Sequence, residues 1–227
     1  MNPVLILTRN NLALTKRCAE SVWKQDIPTQ LYIVDNGSHD GTVEWCEQNP
    51  VVFWSRAENE GVSSGWNTAL NTIFNELFYE HCLCIGNDTV LEASAYATLL
   101  SYNEGFITGV AVNQMSQLTH GARMPLENHP DFSCFLITAD VWEKVGPFDE
   151  RMKLYASDCD FHIRAHRMGI NLWKGCVPFY HERSSTLRLA SPEEAAAINT
   201  QANKDREVFR SLYGCIPGDK AYESLFL

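Results

Sequence analysis

Three aspartates and one histidine stand at the ends of elements, where a side chain can meet a ligand. Asp35 closes the apolar run Leu31-Tyr32-Ile33-Val34 and enters Asn36-Gly37-Ser38. A carboxylate there suits hydrogen bonds from a base or ribose that comes close to backbone, and it is equally ordinary turn chemistry. Asp88 follows Cys82-Leu83-Cys84-Ile85, so its side chain projects from the carboxyl end of a strand. Asp158 lies in Ser157-Asp158-Cys159-Asp160, which has the spacing of a capping box. Ser157 is predicted to cap a helix running to Met168, with Asp160 as its partner and Gly169 as the stop. In that first turn the helix macrodipole favours the ionised carboxylate, which keeps Asp158 ready to take a proton near neutral pH. Arg164 is spaced to pair with Asp160 one turn on. His181 ends the run Phe179-Tyr180 and, by residue type alone, reads as a structural histidine.

The elements that must hold these residues are legible as an alternation. Val4-Leu5-Ile6-Leu7, Leu31 to Val34, Val51-Val52-Phe53-Trp54 and Cys82 to Ile85 are short β-rich runs. Amphipathic stretches follow them at Ala13–Lys24, Thr42–Gln48, Ser64–Tyr79 and Glu92–Tyr102. Strand and helix in turn predict a parallel sheet covered on both faces. The polar loops after the strands, Asp35 to Ser38, Asn59 to Gly61 and Gly86 to Asp88, then share one crevice. Asn113 to Pro130 is polar and without periodicity, the length of a lid or binding loop or of a disordered segment. Phe132–Ile137 resumes as a strand and Ala139–Val145 as a short helix stopped by Gly146-Pro147. Ser191-Pro192-Glu193-Glu194 starts a last helix, carried through Leu212 before Gly214.

With 18 Lys and Arg against 28 Asp and Glu, the net charge of −10 argues against a protein gripping duplex DNA over a wide face. The 227 residues suffice for one large core without disulfide staples. The eight cysteines include no C-x-x-C pair, so buried thiols are expected rather than a zinc ribbon or redox motif. Met1 to Thr8 is a short apolar run met at once by Arg9, unlike a secretory leader, and no run of about 18 apolar residues occurs. The expectation is a protein of the reducing cytoplasm with no transmembrane segment.

Six strings occur in a telling order: Leu7-Thr8-Arg9-Asn10; Ile33 through Thr42; Asn59-Glu60-Gly61 through Gly65-Trp66-Asn67; Gly86-Asn87-Asp88-Thr89; Gly146 through Glu150; and Tyr155 through Arg164. Together they resemble the GT-A glycosyltransferases of family 2, in the rhamnosyltransferase/glucosyltransferase-like group, over about the first 185 residues. The resemblance implies an α/β GT-A fold: a mostly parallel central sheet, helices on both faces and a short helical C-terminal tail. Residues 1–190 would form the GT-A domain, with 1–112 as the nucleotide-sugar half and 113–190 as the acceptor half, and 191–227 its tail. It places nucleotide-sugar contacts at Thr8, Asn10, Asp35, Asn59, Gly61, Asn67, Asn87 and Arg183. It assigns a divalent metal, Mn²⁺ or Mg²⁺, to Asp88 and His181, and general-base catalysis to Asp158. Two positions depart from the family: Gly86 replaces the first acid of the metal motif, and Ser157 replaces the glutamate that usually precedes the base. With one carboxylate supplied, the metal depends on a second protein ligand.

The implied reaction is metal-dependent, inverting transfer from a UDP-, dTDP- or GDP-sugar to a hydroxyl of a glycan, a small molecule or a modified nucleic-acid base. A retaining transferase on the same fold and a catalytically silent sugar-nucleotide or carbohydrate-binding module are the alternatives. A nucleotidyltransferase is disfavoured because Thr8-Arg9-Asn10-Asn11-Leu12 contains no glycine. For Asn59, Gly61 and Asn67 a plain loop and helix cap is the competing reading, as helix capping at Thr42 is for Asp40. From Arg151 to Arg188, seven cationic residues face three acids. This basic segment is expected to meet the diphosphate, with Arg183 and Arg188 as a clamp, or to be a solvated loop.

Overall fold

The computed structural model describes residues 1–112, 123–128, 130–181 and 190–227. The apolar runs become strands β1 (Asn2–Thr8), β2 (Thr29–Asp35), β3 (Val52–Ser55) and β4 (His81–Gly86). They pair in parallel in the order β3-β2-β1-β4, as the alternation predicts. The sheet continues through β8 (Cys134–Thr138), β6 (Phe106–Val112), β9 (Trp173–His181) and β5 (Thr89–Leu91), with the short β7 (Met124–Pro125) also on β9. In this second half only β6 and β9 are parallel; β8 runs antiparallel to β4 and β6, and β5 to β9. Antiparallel β8 carries its start, not its end, to the edge where β4 ends.

Alternate residues of each strand feed opposite cores, which is why the runs are apolar throughout. Val4, Ile6, Leu31 and Ile33 pack with Cys18, Ala19 and Val22 of α1 (Leu12–Trp23) and Tyr96 and Leu99 of α4 (Ala95–Ser101). Leu5, Tyr32 and Val34 pack on the other face with Trp66 and Leu70 of α3 (Val62–Asn71), Trp142 of α5 (Ala139–Val145) and Phe161 of α6 (Ser157–Arg167). Each such fully buried side chain contributes about 1.5–3 kcal/mol. Cys18, Cys46, Cys82, Cys84, Cys134, Cys159 and Cys215 are buried thiols.

A third cluster lies against α6. Met152, Ala156, Cys159 and Ile163 meet Phe209 of α7 (Pro192–Tyr213), Cys215 just beyond it and Tyr222 of the short helix that follows. The start of α7 has the predicted capping box, Ser191 with Glu194, and Gly214 ends it in the left-handed conformation. No helix among the described residues is long and apolar enough to cross a membrane.

Candidate active site

The carboxyl ends of β1 and β4, the start of β8 and the start of α6 open on one crevice of about 520 Å³. Thr8, Asn59, Asn87, Asp88, Asp158 and His181 all line it. The meeting of Asp88 with His181 follows from strand register. Thr89 of β5 sits opposite His181 of β9, so the residue before Thr89 faces the imidazole, and Asp88 Oδ2 lies 3.3 Å from His181 Nε2. Gly86 belongs to the same corner: a Cβ there would stand 3.0 Å from Asp88 Oδ1, so the carboxylate occupies the space an acidic side chain at 86 would start from.

Asp158 is partly buried at the head of α6 and bonds the Cys159 N–H at 2.8 Å. Its carboxyl is pushed up to about 6, mainly by burial and further by the charge of Asp131, against the Cys159 bond. The macrodipole expectation is thereby corrected: desolvation outweighs the helix terminus. A carboxylate at about 6 is still mostly ionised at pH 7 and is the stronger base for it. Asp131 also lines the crevice and holds the turn into β8 through the Ser133 N–H at 2.9 Å. The sequence reading missed it because it followed only the carboxyl ends of strands, whereas an antiparallel strand delivers its beginning to the same edge.

The capping box expected at Ser157 does not form. Ala156, at φ 66°, is the residue before the helix, and Ser157 is already its first helical residue, with no capping bond from its side chain. Asp160 instead accepts from Arg164 Nε at 2.9 Å and from the Tyr213 hydroxyl at 2.6 Å. Arg164 also donates to the Val145 and Pro147 carbonyls, pinning the Gly146-Pro147 turn. Asp40 holds Thr42 and the Leu12 N–H, joining the starts of α1 and α2 (Thr42–Glu47).

Of the expected nucleotide contacts, Thr8, Asn59 and Asn87 line the crevice, whereas Asn10 and Asp35 are not among its lining residues and support those that are. The Asn87 amide donates to Thr8 Oγ1 at 3.0 Å, to the Asn10 carbonyl at 3.2 Å and to Thr15 Oγ1 at 3.1 Å. Asn10 accepts from the His39 N–H at 2.9 Å. Asp35 is fully buried, accepting from the Ser38 N–H and from Ser55 Oγ. Asn67 is not brought to the crevice; it brackets Phe148, accepting from its N–H and donating to its carbonyl, both at 2.9 Å. Asn36, which the sequence reading did not single out, bonds Asn59 and Gly61 and so ties the first loop to the second.

Gly61, at φ 103°, precedes α3, and a Cβ on it would meet the Lys153 carbonyl at 2.9 Å. The Val62 N–H, the first of that helix, bonds this same carbonyl rather than facing a phosphate. Beside the crevice lies a second cavity of about 240 Å³, lined by Arg9, Asn59, Gly61, Lys153, Glu194 and Gln201 among others.

Among the described residues of the basic segment, three cations are matched to acids. Arg151 pairs with Asp149, Arg164 with Asp160 and Lys174 with Glu127, acids that lie partly outside the counted stretch. The cations beside the two cavities are Arg9 and Lys153. Arg183 and Arg188 lie outside the described residues.

The model of glycosyl transferase family 2 matches residues 4–168, which include Asp35, Asp88 and Asp158 and exclude His181 and α7. The chain belongs to glycosyl transferase family 2. A curated relative of this family 2 chain is the low-salt glycan biosynthesis hexosyltransferase Agl10 of Haloferax volcanii. The two are 24% identical over 169 residues, 63% of this chain; the match spans 55% of the relative's length. Among solved structures, S. aureus TarS 1–349 superposes over 100% of this chain and 78% of its own, with a TM-score of 0.63 at 16% identity. The mannosyltransferase PcManGT of Pyrobaculum calidifontis, in complex with GDP-Man and Mn²⁺, matches over 99% and 82% with a TM-score of 0.62 at 15% identity. The architecture of this family 2 chain is thus the GT-A fold.

Proposed function

We propose that the chain transfers a sugar from a nucleoside-diphosphate donor to an acceptor hydroxyl by single displacement with inversion. The carrying observation is the convergence of Asp158 with the Asp88–His181 pair on one crevice. Asp158 takes the proton of the acceptor hydroxyl, whose oxygen forms the new bond at the anomeric carbon as the bond to the diphosphate oxygen breaks. The electron pair leaves with the nucleoside diphosphate, and a positioned base of this kind contributes about 10²–10⁴-fold.

Asp88 and His181, one carboxylate and one imidazole, would hold a divalent cation, and the imidazole would favour Mn²⁺ over Mg²⁺. Such an ion would supply charge neutralisation for a departing diphosphate. The donor's nucleoside is assigned to the side of the crevice lined by Thr8, Asn59 and Asn87, with Asn10 bonded to Asn87 and Asp35 beside Thr8 in the sheet. Solved neighbours crystallised with UDP and with GDP-Man make UDP- and GDP-sugars the first donors to try. Residues 1–190 act as the transferase domain, and the chain is read as cytoplasmic.

The test is release of nucleoside diphosphate from UDP-, dTDP- and GDP-sugars with and without Mn²⁺, followed by NMR of the product's anomeric centre. Release is expected to require the metal and to fall at least about 10²-fold in Asp158→Asn. Wild-type-like turnover in both Asp158→Asn and Asp88→Ala would overturn the mechanism, and a product of retained configuration would make it a retaining transferase. Donor binding without any turnover is the outcome of a binding module.

A further inference from the structure

The turn that leads into α6 is gripped from two sides. On one side, the start of α3 takes its carbonyls: Ser63 Oγ donates to the Met152 carbonyl at 2.6 Å and the Val62 N–H to the Lys153 carbonyl. On the other side stands Asp205 of α7, fully buried. Its Oδ1 accepts from the Lys153 N–H at 3.1 Å, and its Oδ2 from the N–H groups of Leu154 at 2.8 Å and Tyr155 at 2.9 Å. Gln201, one turn earlier, donates to Oδ1 at 2.7 Å and fills the fourth place. Three consecutive amides converging on one carboxylate fix the path of the chain over those residues. The next residue, Ala156, is held at φ 66°, a conformation a non-glycine residue keeps only where its surroundings impose it. Two residues further on is Asp158, while Leu154 and Tyr155 line the crevice themselves.

We infer that Asp205 is a positioning residue for transfer: from outside the stretch the family model matches, it sets the turn that aims Asp158 and shapes the acceptor side of the crevice. The inference rests on the proposed role of Asp158. Without the carboxylate, three inward amide groups lose their acceptor, the turn relaxes and Asp158 shifts against the reacting centre. A displacement of about 1 Å at such a position costs up to about 10²-fold in rate.

The test compares the full chain with Asp205→Asn, which keeps the volume but turns a donor toward the amides, and Asp205→Ser, which keeps one small acceptor. Tyr213→Phe is the control, removing another bond between α7 and α6 without touching the turn. Assays are run well below each variant's melting temperature and normalised to folded protein. Asp205→Asn is expected to lose about 10- to 10²-fold in kcat with donor KM within about twofold of wild type. The acid limb of its rate profile should move toward an ordinary carboxylate, because water reaches Asp158; the other titratable groups facing Asp158 are Asp131, Cys159 and Tyr222. Tyr213→Phe should lose melting temperature but keep both kcat and the acid limb. Unchanged kcat and acid limb in folded Asp205→Asn or Asp205→Ser, with Asp158→Asn inactive, would overturn the inference alone. An active Asp158→Asn would overturn the reading beneath it. Should neither Asp205 variant fold, hydrogen exchange on the wild type decides: slow amides at 153–155 support the clamp, and exchange at unprotected rates overturns it.

Discussion

At the scale of single residues, the crevice shifts one carboxylate, Asp158, and pairs another, Asp88. Asp158 at about 6 predicts that transfer rises with pH and levels near 7, with an acid limb near 6 in kcat/KM that Asp158→Asn abolishes; a limb near 4 would contradict the burial argument. The same shift bears on stability. Because the folded state holds this proton more tightly than the unfolded chain does, the contribution is fully present below about pH 4 and is lost as pH rises through about 6. Asp158→Asn should therefore be more stable than wild type at pH 7.5, by about 1–3 kcal/mol in urea melts, and nearly equal to it at pH 4. His181→Ala removes the nitrogen beside Asp88 and should raise the Mn²⁺ concentration needed for half-maximal release by about 10- to 10²-fold, measured by metal titration. The placement of these acids was legible from type and position: Asp35, Asp88 and Asp158 each stand at an element's end. Their partners were legible only in part: the pairing of Asp88 with His181 was implied by the family resemblance and that of Arg164 with Asp160 by helical spacing. Asp160 looked like a capping acid paired at most with Arg164 one turn on, because local spacing is all a sequence displays; the Arg164 pair forms, but the Tyr213 hydroxyl comes from 53 residues away.

At the scale of elements, the alternation of apolar runs and amphipathic stretches was sufficient for β1 to β4 and their helices, since a strand buried on both faces has little other sequence available to it. The second half was harder because β8 and β5 run antiparallel and short, and their pairing depends on long-range register rather than local pattern. Loop junctions add a constraint visible only in three dimensions. Gly61→Ala must hold φ 103° and also displace the Lys153 backbone, whereas Gly146→Ala at φ 80° meets open space. Both variants lose stability, Gly146→Ala by about 1 kcal/mol and Gly61→Ala by more, about 3 kcal/mol in denaturant titration; equal losses would show that the contact with Lys153 is easily relieved.

At the scale of the whole molecule, α7 is more than an appendage to the matched family region. Phe209 is fully buried among Met152, Ala156, Cys159 and Ile163, the residues on either side of the turn into α6. Phe209→Ala should cost about 3–5 kcal/mol in chemical denaturation, and a loss below 1 kcal/mol would mean the tail docks only loosely. Charge changes meaning at this scale too. Of the cations between Arg151 and Arg188, Arg151, Arg164 and Lys174 are each matched to an acid, while Lys153 from the segment and Arg9 from outside it lie beside the second cavity.

By itself the sequence determined the fold class, the strands that bear the site and the identity of the acids at their ends, because hydrophobic periodicity and turn chemistry act over a few residues and are written locally. Tertiary structure alone decided that Asp131 joins the crevice, that burial rather than the helix terminus governs Asp158, and that Asp205 holds the turn before it. Those outcomes depend on register, desolvation and contacts across 50 residues or more, and such quantities exist only once the chain has closed on itself.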